Sequence, residues 1–180
     1  MGRSHTGRSH TGRSHTGRSD TGRSDTPRRA SRLVTILLAA VGVFVGVFAG
    51  SIANIGTIFV GMQLLPPPEG VNPGDVASIN ANIDRYSVAQ LLVPLAAHAI
   101  GTFVGALVAA LIASTPRSRL VAALVVGALS LVGGVMMALE VSNAPVWFIV
   151  VDLVVAYIPM ALGGWALARR FRRGAACATS

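Results

Sequence analysis

Four long apolar segments separated by short polar stretches dominate the hydrophobic pattern of this chain. They cover about residues 33–65, 88–113, 120–139 and 146–168. Each is long enough for a helix that crosses a bilayer, which needs about 20 apolar residues. The pattern therefore predicts an all-α integral membrane domain over residues 31–170, built as a bundle of four antiparallel transmembrane helices. Only 12% of the residues are charged, whereas a soluble domain has about 25%, so a soluble globular protein is excluded.

Small residues recur at every fourth position in the first two segments, which places them on one face of each helix. Such a face, here called a small-residue ridge, lets the backbone of another helix approach closely. We expect both ridges to be helix-packing surfaces. They consist of Gly42, Gly46 and Gly50 in the first segment and of Ala97, Gly101, Gly105 and Ala109 in the second.

Arginine is concentrated at three places along the chain. Eight arginines precede the first segment, two lie between the second and third, and four follow the last, whereas Arg85 shares its loop with acidic residues. Because cytoplasmic loops of bacterial membrane proteins are enriched in basic residues, both termini are predicted to be cytoplasmic and the protein to lie in the bacterial inner membrane. This topology also accounts for the net charge of +8, so the expected partner is the lipid bilayer and not nucleic acid.

The two ends of the chain are predicted to lie outside the bundle. Residues 1–30 contain five tandem pentapeptides and no apolar core, so they are predicted to form a disordered basic tail. Residues 171–180 are predicted as a second cytoplasmic tail. His5, His10 and His15 recur every fifth residue, a spacing that could hold a transition metal. An exact repeat is better explained by duplication in the gene, so no metal or other cofactor is expected.

Two further features can be predicted, one in the first long loop and one in the fourth span. Val76, Ile79 and Ile83 have helical spacing in the first long loop, which predicts a short amphipathic helix on the membrane surface. Trp147 and Trp165 are separated by about 27 Å of helix, close to the thickness of the hydrocarbon core. Trp147 and Trp165 are therefore predicted to be the two interfacial anchors of one span. Pro159 is predicted to kink this span, as Pro94 is to kink the second.

Two ionisable side chains fall within the predicted spans, and each costs at least about 2.5 kcal/mol to insert into a bilayer. His98 and Asp152 lie at similar depths, about 8–10 Å below the outer surface. We predict that they form a polar cluster, which Asn54 could join and beside which Glu140 ends the third span. The cluster could fix helix register, or it could be a proton or ligand site, since histidine changes charge near neutral pH.

The sequence contains no catalytic motif that would support an enzyme: it has no nucleophile elbow, phosphate-binding loop or paired histidines at metal-ligand spacing. The unpaired faces of the small-residue ridges indicate that the expected function is that of a non-enzymatic structural or accessory protein that acts through helix–helix association. Its partner would be a second copy of the chain or another membrane protein. The alternative is a small transporter or proton-coupled carrier that uses the His98 and Asp152 pair.

A short motif follows the first span. The run Met62–Gly70 contains three consecutive prolines and then Glu69 and Gly70, and with the spans around it this run resembles a group of uncharacterised small bacterial inner-membrane proteins. Members of that group have four spans and a Pro-Pro-Pro-x-Gly motif after the first. The resemblance covers roughly residues 33–168, although Leu64 and Leu65 stand where the group often has a polar or aromatic pair. It implies the four-span architecture and no activity.

Overall fold

The computed structural model describes Gly2 and residues 26–178, and the regular secondary structure of that part of the chain is entirely helical. Its α-helices are α1 (Thr26–Leu64), α2 (Val76–Asn82), α3 (Val88–Ile112), α4 (Pro116–Glu140), α5 (Val146–Val155) and α6 (Ile158–Ala178). Four segments are long and apolar enough to cross a membrane, namely Ser31–Leu64, Val88–Ile112, Pro116–Glu140 and Val146–Gly174. The prediction of an all-helical protein with four such segments is confirmed for the described residues. The three histidines of the repeat lie outside the described residues.

Local sequence explains where the helices begin and end. The side chain of Ser87 accepts a hydrogen bond from the backbone of Gln90 at the start of α3, and Thr115 does the same with Ser118 at the start of α4. These capping boxes satisfy backbone N–H groups that have no partner within the helix. The consecutive prolines after Leu65 cannot continue α1. They lead into a turn at Gly70, whose φ of 77° suits glycine.

Three helices extend beyond the predicted spans. α1 begins at Thr26 and includes residues 26–30, which were predicted to belong to the tail. α4 begins at Pro116, because proline is well suited to the first position of a helix. α6 continues through the four C-terminal arginines to Ala178, so most of the predicted second tail is helical. Arginine is a good helix former, which explains why α6 does not end where its apolar part ends.

The two small-residue ridges pack against each other along α1 and α3. A Cβ atom added to Gly46 would lie 2.5 Å from the carbonyl oxygen of Gly105, and one added to Gly50 would lie 2.6 Å from that of Gly101. No side chain fits at these points, so the two backbones are in direct contact. The ridges thus serve as packing surfaces inside one chain, where each is covered by the other.

α3 lies at the centre of the bundle and contacts α1, α4, α5 and α6. The core beside it consists mostly of alanine, which allows close helix approach without large side chains. Gly164 of α6 extends this packing, because a Cβ atom there would lie 2.6 Å from the carbonyl oxygen of Phe103. The buried cluster comprises Ala106, Ala109, Ala110, Ala113, Ala122, Ala123, Val126, Ala161 and Ala168.

Two arginines bind the carbonyl groups at the end of α3. Arg119 donates from Nε to the carbonyl oxygen of Ala113 at 3.1 Å and from Nη2 to that of Ser114 at 3.0 Å. Arg172 of α6 donates to the carbonyl oxygen of Leu111. The last carbonyls of a helix have no partner within it and carry partial negative charge, so cations are favourable there. We call this the arginine end of the bundle.

The fourth span consists of two helices at the place where a kink at Pro159 was predicted. α5 ends at Val155, Ala156 and Tyr157 form a turn, and α6 starts at Ile158. Pro159 then lies in the first turn of α6, where a missing N–H costs no hydrogen bond. A proline alone does not force such a break, since α3 continues through Pro94, but the position of Pro159 favours the start of a new helix.

Candidate functional site

Three polar side chains meet between α3 and the broken fourth span. Nδ1 of His98 lies 2.9 Å from Oδ1 and 3.1 Å from Oδ2 of Asp152. The hydroxyl of Tyr157 donates to Oδ2 of Asp152 at 2.9 Å and lies 3.1 Å from Nδ1 of His98. Asp152 is 5% exposed and Tyr157 is 2% exposed. We call these three residues the polar triad.

The break in the fourth span brings Asp152 and Tyr157 together. They are five residues apart, so on a continuous helix their side chains would point about 140° apart. The turn at Ala156 and Tyr157 removes that constraint. Gly134 of α4 provides the space, because a Cβ atom at this position would overlap the Tyr157 phenol. Tyr157 was not among the residues predicted for the cluster.

The hydrogen bonds of the triad determine how the His98 ring is protonated when it is neutral. A lone pair on Nδ1 would face the oxygens of the Asp152 carboxylate, an arrangement of two acceptors that is repulsive. A proton on Nδ1 instead donates to that carboxylate, while the Tyr157 hydroxyl donates to Oδ2. Nδ1 is therefore assigned as the donor, and Nε2 carries the lone pair.

The triad lies at one end of a cavity of about 240 Å³ between α1, α3, α4 and α5. His98 is the lining residue furthest along α3, and its side chain is 20% exposed. The remaining wall is mainly apolar and includes Ile58, Met62, Leu91, Val93, Met137 and Phe148. An apolar pocket with a few convergent polar groups is the usual form of a small-molecule site.

The loop between α1 and α3 covers the other end of the cavity. Ile79 and Ile83, predicted to lie on the membrane surface, instead line the cavity together with Pro73 and Tyr86. Burial raises the pKa of the Tyr86 phenol above its ordinary value. We refer to residues 65–87 as the cover segment and to this part of the molecule as the covered end.

Hydrogen bonds hold the cover segment in place. Nδ2 of Asn80 donates to the carbonyl oxygen of Glu140 at 2.7 Å, and Nδ2 of Asn143 donates to the carbonyl oxygen of Asn80 at 3.2 Å. Nε2 of Gln90 donates to the carbonyl oxygen of Pro66 at 2.5 Å. The segment is therefore attached to the loop before α5 as well as to α3.

Two residues predicted for the polar cluster lie elsewhere. Asn54 faces the α1–α3 contact, where a Cβ atom on Gly101 would lie 2.9 Å from the Cβ atom of Asn54. It continues the α1 ridge by one step of four residues, and this directs it to the ridge of α3 instead of the triad. Glu140 is exposed at the end of α4, which keeps its charge in a polar environment. Its backbone carbonyl binds the cover segment, but its side chain does not reach the triad.

The described residues contain no group of three or more His, Cys, Asp or Glu side chains that could hold a metal ion. Comparison of the chain with protein-family models, with curated proteins and with solved structures finds no match.

Proposed function

We propose that this protein is a small proton-linked carrier of the bacterial inner membrane, and that it binds its substrate in the cavity beside His98. One observation carries the proposal: the imidazole is bound at Nδ1 by Asp152 and Tyr157, while its ring lines a cavity. Histidine changes charge between pH 5 and 8. Gaining or losing one proton would alter the net charge beside a bound substrate by one unit, and charge differences are strongly felt in an environment of low dielectric constant.

The proposed topology has four alternating spans with both termini in the cytoplasm. Gly42 of α1 packs near Ala109 of α3, and Gly61 of α1 packs near Val93 of α3, which supports opposite directions for these two helices. The arginine end would face the cytoplasm. The cover segment contains Glu69, Asp75 and Asp84, and would face the other side in accordance with the positive-inside rule.

A second candidate is the structural or accessory role. The bonds from His98 to Asp152 and Tyr157 connect α3 to the fourth span, so the triad could act only to fix helix register. The ridges of α1 and α3 no longer support self-association, because they already pack against each other within one chain. This candidate predicts a sealed triad whose environment does not respond to pH.

The two candidates differ in whether the cavity can be reached from water. We suggest placing a single cysteine at Ala138, a small residue of the cavity wall, in a chain whose only natural cysteine is replaced by Cys177→Ser. Labelling by a membrane-impermeant methanethiosulfonate would be measured in native membranes between pH 5 and 8. Ser142→Cys, exposed in the loop between α4 and α5, is the control for the intrinsic pH dependence of the thiol.

For a proton-linked carrier, the ratio of labelling at the two positions should change by at least about threefold across this range, because the proposed mechanism couples the state of the cavity to a proton. The change should disappear in His98→Gln. If Ala138→Cys resists labelling at every pH while Ser142→Cys reacts, or if the ratio is constant, the carrier proposal is wrong and the structural role is supported.

A further inference from the structure

One hydrogen-bonding atom of the triad is unused. Nε2 of His98 makes no hydrogen bond to any residue within 26–178, whereas Nδ1 is close to three oxygen atoms. Nε2 is also not sealed in the protein, because among the described residues the only fully buried side-chain N or O atom without a partner is Nε1 of Trp165. Since the ring is partly exposed and lines the cavity, Nε2 is the ring nitrogen left for a molecule that binds there.

The triad makes this atom an acceptor. With the Nδ1 proton donated to Asp152, the lone pair of the neutral ring lies on Nε2. A ligand that forms a hydrogen bond with Nε2 must therefore supply an O–H or N–H donor. The carboxylate also stabilises the ring against reorientation, since rotation would break both contacts to Asp152.

Most other polar side chains of the cavity wall already form hydrogen bonds within the protein. Nε2 of Gln90 donates to Pro66, and Oε1 of Gln90 accepts from the backbone of Ser87 at 2.8 Å. Both oxygens of Asp152 accept from the triad. Apart from Tyr86 near the cover segment, the rest of the wall is apolar, and His98 lies at its far end. A ligand that fits is therefore mainly apolar and carries its donor at one end.

Charge further restricts the ligand. No arginine or lysine among the described residues lines the cavity, so an anion would be desolvated without a cationic partner while Asp152 repels it. An ammonium group would be attracted by Asp152, but the carboxylate is 5% exposed and both its oxygens already accept hydrogen bonds. Most N–H donors of the ammonium group would therefore be desolvated against an apolar wall without acceptors. A neutral donor avoids both costs.

We propose that the cavity binds a neutral, lipophilic alcohol or phenol whose hydroxyl group donates a hydrogen bond to Nε2 of His98. This inference rests on the proposed function, since it names the class of substrate that the carrier would take. It assigns His98 as the binding residue and Asp152 as the residue that positions it.

The proposal can be tested with two probes of nearly the same shape, 4-butylphenol and 4-butylanisole, which differ in the hydroxyl donor. The full chain would carry His5→Gln, His10→Gln and His15→Gln, so that His98 is the only histidine. In ¹⁵N spectra of labelled histidine, the phenol should shift the Nε2 resonance and the anisole should not. The phenol should also protect Ala138→Cys from labelling at about tenfold lower concentration, which corresponds to one hydrogen bond.

Two variants separate hydrogen bonding from simple packing. Asp152→Asn would donate to Nδ1 and move the proton of the neutral ring to Nε2, so the preference for the phenol should fall towards onefold. Tyr157→Phe removes a hydroxyl from the triad but leaves the carboxylate that sets the ring, so the preference should remain. If Asp152→Asn does not fold, the phenol and anisole comparison in the wild-type background still decides the question.

Each outcome bears on a different proposal. Equal protection by both probes, or protection by neither at a reachable cysteine, overturns the ligand class; the pH dependence of labelling then still supports the carrier. A cysteine at position 138 that cannot be labelled at all overturns both proposals.

Discussion

The two ends of the α1–α3 pair differ in how the helices meet. Towards the arginine end, Gly46 and Gly50 contact the backbone of α3 directly, and the neighbouring core consists of alanine. Towards the covered end, larger side chains such as Met62 and Val93 surround a cavity that ends at His98. The same two helices therefore exclude all side chains in one half and enclose free space in the other. Small residues provide stability in the first half, and the proposed site lies in the second half, where this close packing is absent.

This difference indicates which substitutions the protein can tolerate. In the closely packed half the atom opposite a new side chain is backbone, which cannot move without shifting a helix. In the open half the neighbours are side chains or free space, so the structure can adjust. The following predictions use pairs of matched substitutions, and they run from the largest expected effect to the smallest.

Gly46→Leu should prevent stable folding, because its Cβ atom alone would lie 2.5 Å from the Gly105 carbonyl oxygen. Overpacking typically costs about 1–3 kcal/mol and occasionally more, and here the opposing atom is backbone. Gly56→Leu lies on the same helix with nothing within 4 Å of the added Cβ atom, and should be tolerated. Yield and monodispersity on size-exclusion chromatography in detergent would compare the two. Equal behaviour would contradict the direct contact of α1 and α3.

Asp152→Leu should destabilise the protein by about 1–3 kcal/mol, because Nδ1 of His98 and the Tyr157 hydroxyl lose their acceptor in a buried site. His98→Phe should also destabilise it. The double variant should be clearly less destabilised than the sum of the two, since the side chains are in contact. Thermal unfolding of the four proteins in one detergent measures this, and additive effects would contradict the contact.

Gly134→Ala and Gly133→Ala should change stability in opposite directions. The first places a methyl group on the Tyr157 phenol, which should weaken its bond to Asp152 and cost about 1 kcal/mol or more. The second has nothing within 4 Å and should gain up to about 1 kcal/mol from better helix propensity. Unfolding midpoints of the two variants provide the test, and the same sign for both would argue against the position of Tyr157.

The smallest effect concerns Tyr86 in the cover segment. The chain has two tyrosines, so Tyr157→Phe leaves Tyr86 as the only one, and its absorbance should report a pKa above the ordinary value of 10 in the folded protein. Because the unfolded chain releases this proton first, stability should decrease as the pH rises past 10. Tyr86→Phe should remove that contribution. Titration at the ordinary value would show that the cover does not exclude water.

Much of the architecture follows from residue patterns, because apolar length determines the spans and the i+4 spacing of glycines determines the ridges. The similar depths of His98 and Asp152 also follow from counting along two helices. Tyr157 could not be placed by counting, since a regular helix would direct it away from Asp152. The only local signal was Pro159 two residues later, which was interpreted as a kink instead of a new helix start.

Other differences have identifiable physical causes. Asn54 was predicted for the polar cluster even though it extends the Gly42, Gly46 and Gly50 series, and that spacing already directs it towards α3. The ridges were expected to bind a partner, but spacing alone cannot distinguish a partner in another chain from one in the same chain. The cover segment was predicted from its own amphipathic pattern, which shows an apolar face but not whether lipid or a cavity meets it.

The break between α5 and α6 also changes the electric field around Asp152. A continuous span would have its dipole ends only near the membrane surfaces. Two shorter helices create two additional dipole ends within the span, a negative one at the end of α5 and a positive one at the start of α6. Asp152 lies in the last turn of α5, and its carboxylate accepts a hydrogen bond from Tyr157, the residue that precedes α6. The polar triad is therefore surrounded by the backbone dipoles of two helix ends and not by the uniform wall of one continuous helix.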